Sequence, residues 1–285
     1  MKGLAAYMRK IVDCHCHVYP DKIAAKASES IGRFYSAPMR YDGRVETVKE
    51  LIKKSGLTKC IIFSVATKPS QTRSINEFIA GTVAADPDIF TGLGTVHPDS
   101  EDIRGDIDHL VSLGLKGVKL HADIQQFKTD DYRCLKIYDI CEKKGLPVLM
   151  HCGDNRFDFS NPNRIKPILD IYKNLTVIGA HLGGYTVWED ARRELSGYDN
   201  FYVDCSSSLF AFSPEEGKAL IEAYGADKVL FGTDFPMWDP SDELERLYAL
   251  GLGEDELDNI LYKNANRIFD LGLSSISTGI RPELR

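Results

Sequence analysis

The stretch Ile11-Val12-Asp13-Cys14-His15-Cys16-His17 reads as a β-strand that contains two histidines two residues apart. Successive side chains of a strand point to opposite faces, so His15 and His17 share one face and Cys14 and Cys16 share the other. A strand rises about 3.3 Å per residue, which places the two histidine Cα atoms roughly 6.6 Å apart. Both rings can then bind one metal ion, and the stretch predicts half of a metal site.

Strand-like and helix-like segments alternate along the chain after this stretch. Eight strands are predicted, at residues 11–17, 59–65, 90–96, 117–121, 147–153, 175–183, 200–206 and 228–236. Eight βα units in about 250 residues predict an α/β fold, a single (β/α)8 TIM barrel over about residues 11–271. A doubly wound open sheet is the alternative, but Gly92-Leu93-Gly94 lacks the third glycine of a nucleotide fingerprint and lies inside a strand.

Three further features complete the predicted organisation. The segment 21–44 follows no clean helical period and is expected to be a loop excursion over the site. Extra helices at about 241–249 and 254–271 follow the last strand, and the polar tail 274–285 is expected to be loose. No linker or repeat suggests a second domain, so residues 1–285 are expected to form a single domain.

Composition limits the class of protein. The formal charge of −7 argues against nucleic acid or an anionic membrane as the main partner. The apolar run within residues 1–10 is too short for a signal peptide or a membrane span, so a cytoplasmic location is expected. The seven cysteines are scattered without a CxxC pair, which favours buried, reduced thiols. A homodimer is expected only because two-fold dimers are the commonest oligomers.

Polar side chains gather at the predicted carboxyl ends of the strands, where TIM barrels carry their chemistry. Six of the seven histidines lie there, together with two aspartates: His15, His17, His97, His121, His151, His181, Asp204 and Asp234. Imidazoles combined with one carboxylate suit a divalent transition ion, Zn²⁺ first, with Mn²⁺, Co²⁺ or Fe²⁺ as alternatives. Asp204 is a candidate to orient an imidazole through its far nitrogen.

Four motifs in this order resemble the amidohydrolase superfamily. They are Asp13-x-His15-x-His17, Leu149-Met150-His151, Gly179-Ala180-His181-Leu182-Gly183-Gly184 and Phe231-Gly232-Thr233-Asp234-Phe235-Pro236. The resemblance is closest to the amidohydrolase-related branch, which includes aminocarboxymuconate-semialdehyde decarboxylase, and it extends over about residues 11–271.

The resemblance implies roles for these residues. His15, His17, His151 and Asp234 would bind one metal ion, and His181 and Asp234 would act as the catalytic groups. Other members carry a carbamylated lysine at the end of strand four. Lys119 stands near that place, but we expect it to hold substrate or to act by its charge.

Two reactions fit this set of residues. The first is metal-dependent hydrolysis of an amide, ester or lactone by a metal-activated water. The alternative is non-oxidative decarboxylation of an unsaturated or aromatic carboxylic acid. A third hypothesis is a barrel that binds metal only structurally or serves as an inactive scaffold. The substrate is expected to be a small molecule that bears a carboxylate, and Lys119, His121, Arg156 and Trp188 are the candidate residues that bind it.

Overall fold

Nine parallel strand segments form the centre of the computed structural model, which describes residues 9–274. They are β1 (Val12–His17), β2 (Lys59–Phe63), β3 (Phe90–Gly92), β4 (Gly94–Thr95), β5 (Val118–Leu120), β6 (Val148–Met150), β7 (Val177–Gly179), β8 (Phe201–Asp204) and β9 (Val229–Leu230). β3 and β4 are the two halves of the predicted third strand, broken at Leu93. The nine segments therefore occupy eight positions, as predicted.

Hydrogen bonds between the first strand and the end of the last close the barrel. Each strand pairs with the next in chain order within β1–β3 and within β4–β9. The N–H of Cys14 donates to the carbonyl of Phe231 (2.9 Å), and the N–H of His17 donates to that of Phe235 (2.8 Å). The predicted TIM barrel is confirmed.

Helices connect the strands and surround them. They are α1 (Asp21–Tyr35), α2 (Val45–Ser55), α3 (Thr72–Ala85), α4 (Ile103–Ser112), α5 (Ala122–Gln125), α6 (Tyr132–Lys144), α7 (Pro162–Ile171), α8 (Trp188–Leu195), α9 (Pro214–Tyr224), α10 (Pro240–Ala249), α11 (Glu254–Asp258) and α12 (Asn264–Phe269). A π-helical turn, Asn259–Lys263, joins the last two. Within the described part of the chain, none of the helices has the length and apolarity to span a membrane. The predicted loose tail lies outside the described residues, apart from Ser274.

The segment after β1 differs from the expectation of an irregular loop. Residues Asp21–Tyr35 form a regular helix of 15 residues, and only the part after Ser36 is irregular. The buried positions of α1 are Ala24, Ser28 and Gly32, which repeat every four residues. These residues are small or polar, so the buried stripe carries almost no hydrophobic signal.

A bulge in β1 changes the expected alternation of side chains. The pairing with β2 shifts register between Asp13 and Cys16, where β1 has one residue more than its partner. Cys14 packs inside the barrel with Ile61 and Leu149, whereas Cys16 packs in the layer between the strands and the helices. The prediction that the two cysteines share a face is therefore wrong. All seven cysteines are buried and free, which confirms that they are buried as predicted.

Candidate metal centre and active site

Three potential ligand atoms converge at the carboxyl end of the barrel. The Nε2 atoms of His15 and His17 lie 3.3 Å apart, and Asp234 Oδ1 lies 3.3 Å from the first and 3.7 Å from the second. Ligands about 2.0–2.1 Å from a tetrahedral ion are separated by roughly 3.3 Å, from the geometry of the tetrahedron. The spacing of these three atoms therefore suits a divalent transition ion.

Asp204 at the end of β8 fixes the orientation of the His15 ring. Its Oδ2 lies 2.9 Å from His15 Nδ1, and both side chains are buried. Because the carboxylate accepts the Nδ1–H, the Nε2 of His15 is left with a lone pair toward His17 and Asp234. Burial, with smaller contributions from the charges of Lys119 and His181, lowers the pKa of His15 well below its usual value. A neutral imidazole is the form that binds metal.

Lys119 places a positive charge inside the barrel. Its Nζ lies 3.2 Å from His15 Nε2 and 4.7 Å from the centre of the Phe63 ring, and its side chain is fully buried. Burial lowers the pKa of Lys119, and the nearby Asp204 and Asp234 oppose this effect. This lysine can neutralise an anionic group that enters the site.

His151 and His181 turn unprotonated nitrogens toward each other. His181 Nδ1 lies 3.1 Å from the carbonyl oxygen of Ser206, and His151 Nε2 lies 2.8 Å from that of Gly153. A carbonyl only accepts, so each of these nitrogens carries the hydrogen. The remaining pair, His181 Nε2 and His151 Nδ1, is 3.1 Å apart. Two lone pairs that face each other at this distance repel, so the pair favours a proton between the two nitrogens or a metal ion bound to them.

The structure places His151 in a second group, which sequence reasoning did not foresee. Its Nε2 lies 3.3 Å from Asp123 Oδ2, and its ring stacks on His121 with centroids 4.0 Å apart. Asp123 Oδ2 also accepts a hydrogen bond from Ser160, whereas its Oδ1 is buried without a partner among the described residues. Because His151 lies between this group and His181, the four-ligand set of His15, His17, His151 and Asp234 stays a prediction.

Tyr35 at the end of α1 contacts the same group. Its hydroxyl lies 2.9 Å from His121 Nε2. The His121 Nδ1 accepts a hydrogen bond from the Ile124 N–H (3.4 Å), so Nε2 carries the hydrogen and donates it to the tyrosine oxygen. This contact holds the end of α1 against the mouth of the barrel.

Arg156 and Trp188 have protein partners at the rim. The Arg156 guanidinium binds both carboxylate oxygens of Asp154, and its Nη1 donates to the Phe34 carbonyl (2.6 Å). Trp188 Nε1 donates to the carbonyl of His181 (3.0 Å). Contact of these two side chains with substrate stays a prediction, while their observed contacts hold α1 and His181 in position.

Several site residues that are not glycine have a left-handed backbone. His181 has φ 61°, Leu182 φ 50°, Ser207 φ 45° and Asp234 φ 60°. Such conformations are uncommon outside glycine and concentrate at functional sites. They turn the chain sharply at the strand ends, so that the His181 and Asp234 side chains reach the centre of the barrel mouth.

A small, partly open cavity lies above these groups. Its volume is about 20 Å³, close to that of one water molecule. Its polar walls are His17, His121, His181 and Asp234, and its remaining walls are Tyr19, Ile31, Tyr35, Met39, Ile124, Pro236 and Met237. Ile31 and Tyr35 of α1 and Met39 after it supply part of this wall, so this segment covers part of the site.

The serines after β8 were missed from the sequence. Ser206 Oγ lies 3.2 Å from His15 Nδ1 and 3.0 Å from His181 Nδ1, and Ser207 Oγ donates to Asp234 Oδ2 (2.6 Å). The signal that could have found them is the run Asp204-Cys205-Ser206-Ser207-Ser208, because short polar side chains directly after a barrel strand lie at the active face.

Comparison with known proteins agrees with this geometry. The family model described as "Amidohydrolase" matches residues 12–271, which include all the groups above. The chain belongs to the amidohydrolase family. The resemblance seen in the sequence is thereby confirmed at the level of the family.

Solved structures with the same fold cover nearly the whole chain. An uncharacterized TIM-barrel protein of Bordetella bronchiseptica aligns with a TM-score of 0.77 at 21% identity, over 92% of this chain and 99% of its own. The 5-carboxyvanillate decarboxylase of Sphingomonas paucimobilis aligns at 0.70 and 16%, over 92% and 99%. A dihydroxybenzoic acid decarboxylase of Polaromonas sp. JS666, with bound manganese and an inhibitor, aligns at 0.70 and 16%, over 93% and 98%.

Proposed function

We propose that this protein is a metal-dependent decarboxylase that releases CO₂ from a small unsaturated or aromatic carboxylic acid without oxidation. The observation that carries this proposal is the convergence of His15 Nε2, His17 Nε2 and Asp234 Oδ1 beside the unprotonated Nε2 of His181. Two similar structures carry the name decarboxylase, which supports decarboxylation over the hydrolysis that the sequence put first.

The residues present fit a single divalent ion. Two neutral imidazoles and one carboxylate oxygen have the spacing that such an ion requires, and His151 would supply a fourth ligand if its ring turned from Gly153. Zn²⁺ suits this set of donors, and Mn²⁺ is supported by its presence in one similar structure. When bound, the ion would polarise the carboxylate or a neighbouring oxygen of the substrate.

His181 is the residue that handles the proton. Its Nδ1–H is held by the Ser206 carbonyl, so Nε2 is the nitrogen that can carry a transferable proton. In the reaction the bond from the substrate carbon to the carboxylate carbon breaks, and its electron pair stays on the substrate carbon. CO₂ leaves, and a proton that His181 Nε2 or Asp234 has taken up from solvent is added to that carbon.

The cover of the site favours an unsaturated acid. Apolar side chains on the cavity wall, Ile31, Met39, Ile124 and Met237, can lie against a planar ring or chain. Lys119 would compensate the negative charge of the substrate from inside the barrel. A cavity of about 20 Å³ is smaller than such a molecule, so we expect side chains of the cover to move when substrate enters.

Hydrolysis of an amide, ester or lactone is the second candidate function. The observation that favours it is the same cavity, which has room for one water beside His181 and Asp234. In this reaction His181 Nε2 would accept a proton from the attacking water instead of donating one to carbon.

Metal analysis combined with product analysis tests the proposal. Protein purified without added metal is analysed for bound elements, and the wild type and His181→Asn are assayed for CO₂ release from hydroxybenzoate-type and muconate-type acids. We expect one equivalent of metal in both proteins and a loss of activity of about 10²- to 10⁴-fold in the variant. His109→Asn, on α4 and away from the site, is the matched control and should keep both properties.

The same measurements distinguish the alternatives. Metal-dependent cleavage of esters, amides or lactones without CO₂ release would support hydrolysis. A wild-type protein that binds no Zn²⁺ or Mn²⁺ under any loading condition would refute both candidate functions.

A further inference from the structure

Two tryptophan–serine pairs lie side by side at the mouth of the barrel. Trp238 Nε1 donates to Ser207 Oγ (2.9 Å), and Trp188 Nε1 donates to Ser208 Oγ (3.1 Å). The pairs differ in what the serine binds next. Ser207 donates to the carboxylate of Asp234, whereas Ser208 donates to the backbone carbonyl of Ser206 (3.0 Å).

The chemistry of the indole determines the direction of the first pair. An indole N–H only donates, so the Ser207 oxygen must accept from Trp238 and its own hydrogen must go elsewhere. Asp234 Oδ2, at 2.6 Å, accepts it. The other carboxylate oxygen, Oδ1, is thereby turned toward His15 and His17.

Packing keeps the indole in place. The Trp238 ring stacks on Phe210 with centroids 4.9 Å apart. The guanidinium of Arg246, a residue of α10, lies 5.1 Å from the centre of the Trp238 ring. Arg246 also binds the buried carboxylate of Glu243. Trp238, whose N–H orients the Ser207 hydroxyl, is therefore held in place by packing against α10.

The backbone of Ser207 indicates that its position matters. Ser207 has a backbone φ of 45° and is only 1% exposed to solvent. A left-handed conformation is unfavourable for serine and persists where the surrounding contacts impose it. The turn directs this hydroxyl to Asp234, which itself has φ 60°.

We infer that Trp238 and Ser207 are positioning residues that set the affinity of the metal site by fixing which oxygen of Asp234 faces the ion. The inference rests on the proposed metal site, and it assigns a role to two residues that do not contact the ion. Groups that orient ligands commonly change metal affinity by about 10- to 100-fold when they are removed.

Metal titration of single and double variants tests this inference. Wild type, Ser207→Ala, Trp238→Phe and the double variant are freed of metal with a chelator and titrated with Mn²⁺ or Zn²⁺ alone. We expect about 10- to 100-fold weaker binding for Ser207→Ala and a smaller loss for Trp238→Phe. The double variant should match Ser207→Ala within about twofold, because Trp238 acts on Asp234 only through Ser207.

The second pair supplies the matched control. Ser208→Ala removes a hydroxyl from the same turn, and it should bind the metal as the wild type does. Ser207→Gly separates the hydroxyl from the backbone, because glycine accepts a positive φ without cost. It should lose affinity as Ser207→Ala does, with the fold checked by thermal unfolding.

Each outcome decides the inference. Binding by Ser207→Ala within twofold of the wild type would overturn it, and so would losses that multiply in the double variant or an equal loss in Ser208→Ala. If the wild type binds metal but releases no CO₂, the proposed reaction fails and the inference on Asp234 stands. If the wild type binds no metal, both fail.

Discussion

Asp204 and His15 form a buried pair in which the carboxylate accepts the Nδ1 hydrogen of the imidazole at 2.9 Å. The pair joins the end of β8 to β1 and determines which nitrogen of His15 is free. The same carboxylate, through Oδ1, accepts the N–H of Ser206 (3.0 Å). One side chain therefore orients both the His15 ring, a proposed metal ligand, and the loop that carries the serines.

Replacing Asp204 by asparagine should weaken metal binding about 10- to 100-fold. Asparagine has nearly the same shape as aspartate, but it lacks the negative charge. It also has one acceptor oxygen, whereas the two oxygens of Asp204 accept separately from His15 and from the Ser206 N–H. Chelator competition with Zn²⁺ measures the change. Asp170→Asn, on the surface helix α7, is the control, and equal affinities for Asp204→Asn and the wild type would contradict the assigned role.

Replacing Tyr35 by phenylalanine should loosen α1 while leaving the barrel intact. The change removes the hydrogen bond between the Tyr35 hydroxyl and His121 Nε2, which is worth about 1 kcal/mol. Amide hydrogens of residues 21–35 should then exchange roughly fivefold faster, as seen by mass spectrometry.

Tyr185→Phe is the matched control for this measurement. The Tyr185 ring packs edge-on against Tyr35 at 5.6 Å, so the variant keeps the packing and changes only a hydroxyl. Unchanged exchange in Tyr35→Phe, or equal acceleration in both variants, would show that the hydrogen bond to His121 does not hold the helix.

Asp239 should make the protein more stable above pH 4 than below it. Burial opposes ionisation of this carboxyl, but hydrogen bonds from Tyr41, Lys54 and the Ser241 N–H outweigh burial and lower its pKa to about 2. A group with a lowered pKa in the folded state stabilises above its unfolded pKa and loses this contribution as the pH falls from about 4 to 2. The contribution is about 2 kcal/mol.

Urea unfolding at pH 7, 4 and 3 measures this dependence. Asp239→Asn should have a lower free energy of unfolding at pH 7 and a shallower decline toward pH 3 than the wild type. Asp242→Asn, one turn along α10, should follow the wild-type curve. If the free energy of unfolding of Asp239→Asn fell with pH as steeply as that of the wild type, carboxyl groups other than Asp239 would cause the acid sensitivity.

Two glycine substitutions should change stability in opposite directions. A Cβ at Gly92 would lie 2.7 Å from side-chain atoms of Ile79 and Leu115, so Gly92→Ala should destabilise by about 1–3 kcal/mol. Gly81 lies in α3 with open space around it, so Gly81→Ala should stabilise by about 0.5–1 kcal/mol. Denaturation midpoints at unchanged m-values report both effects, and a stable Gly92→Ala would mean that the layer between β3 and α3 can expand.

The positions of the site residues could be predicted because a barrel orders them by chain position. Each candidate stands at the end of a predicted strand, and parallel strands bring their carboxyl ends to one rim. His15 and His17 could therefore be grouped with Asp234, although Asp234 is far from them in the sequence. The orienting role of Asp204 toward an imidazole follows from the same argument, and the structure confirms it.

The rest depends on contacts that sequence patterns do not record. The α1 helix hides its buried face in Ala24, Ser28 and Gly32, and the bulge in β1 is a one-residue change of register. The ring of His151 faces Gly153 and Asp123 because of side-chain torsions, which no periodicity reveals. The Ser207 hydroxyl acquires its direction only from Trp238, a residue on another loop.

The seam that closes the barrel lies next to the proposed metal site and determines when its residues come together during folding. β1 meets the end of the last strand through Cys14 and Phe231, and on the same seam Asp13 accepts hydrogen bonds from the N–H and hydroxyl of Thr233 (3.0 and 2.6 Å). His15 and His17 are synthesised well before Asp234. An ion at the proposed site would therefore bind all three side chains only after the ring has closed, and it would then link the first and last strands of the barrel.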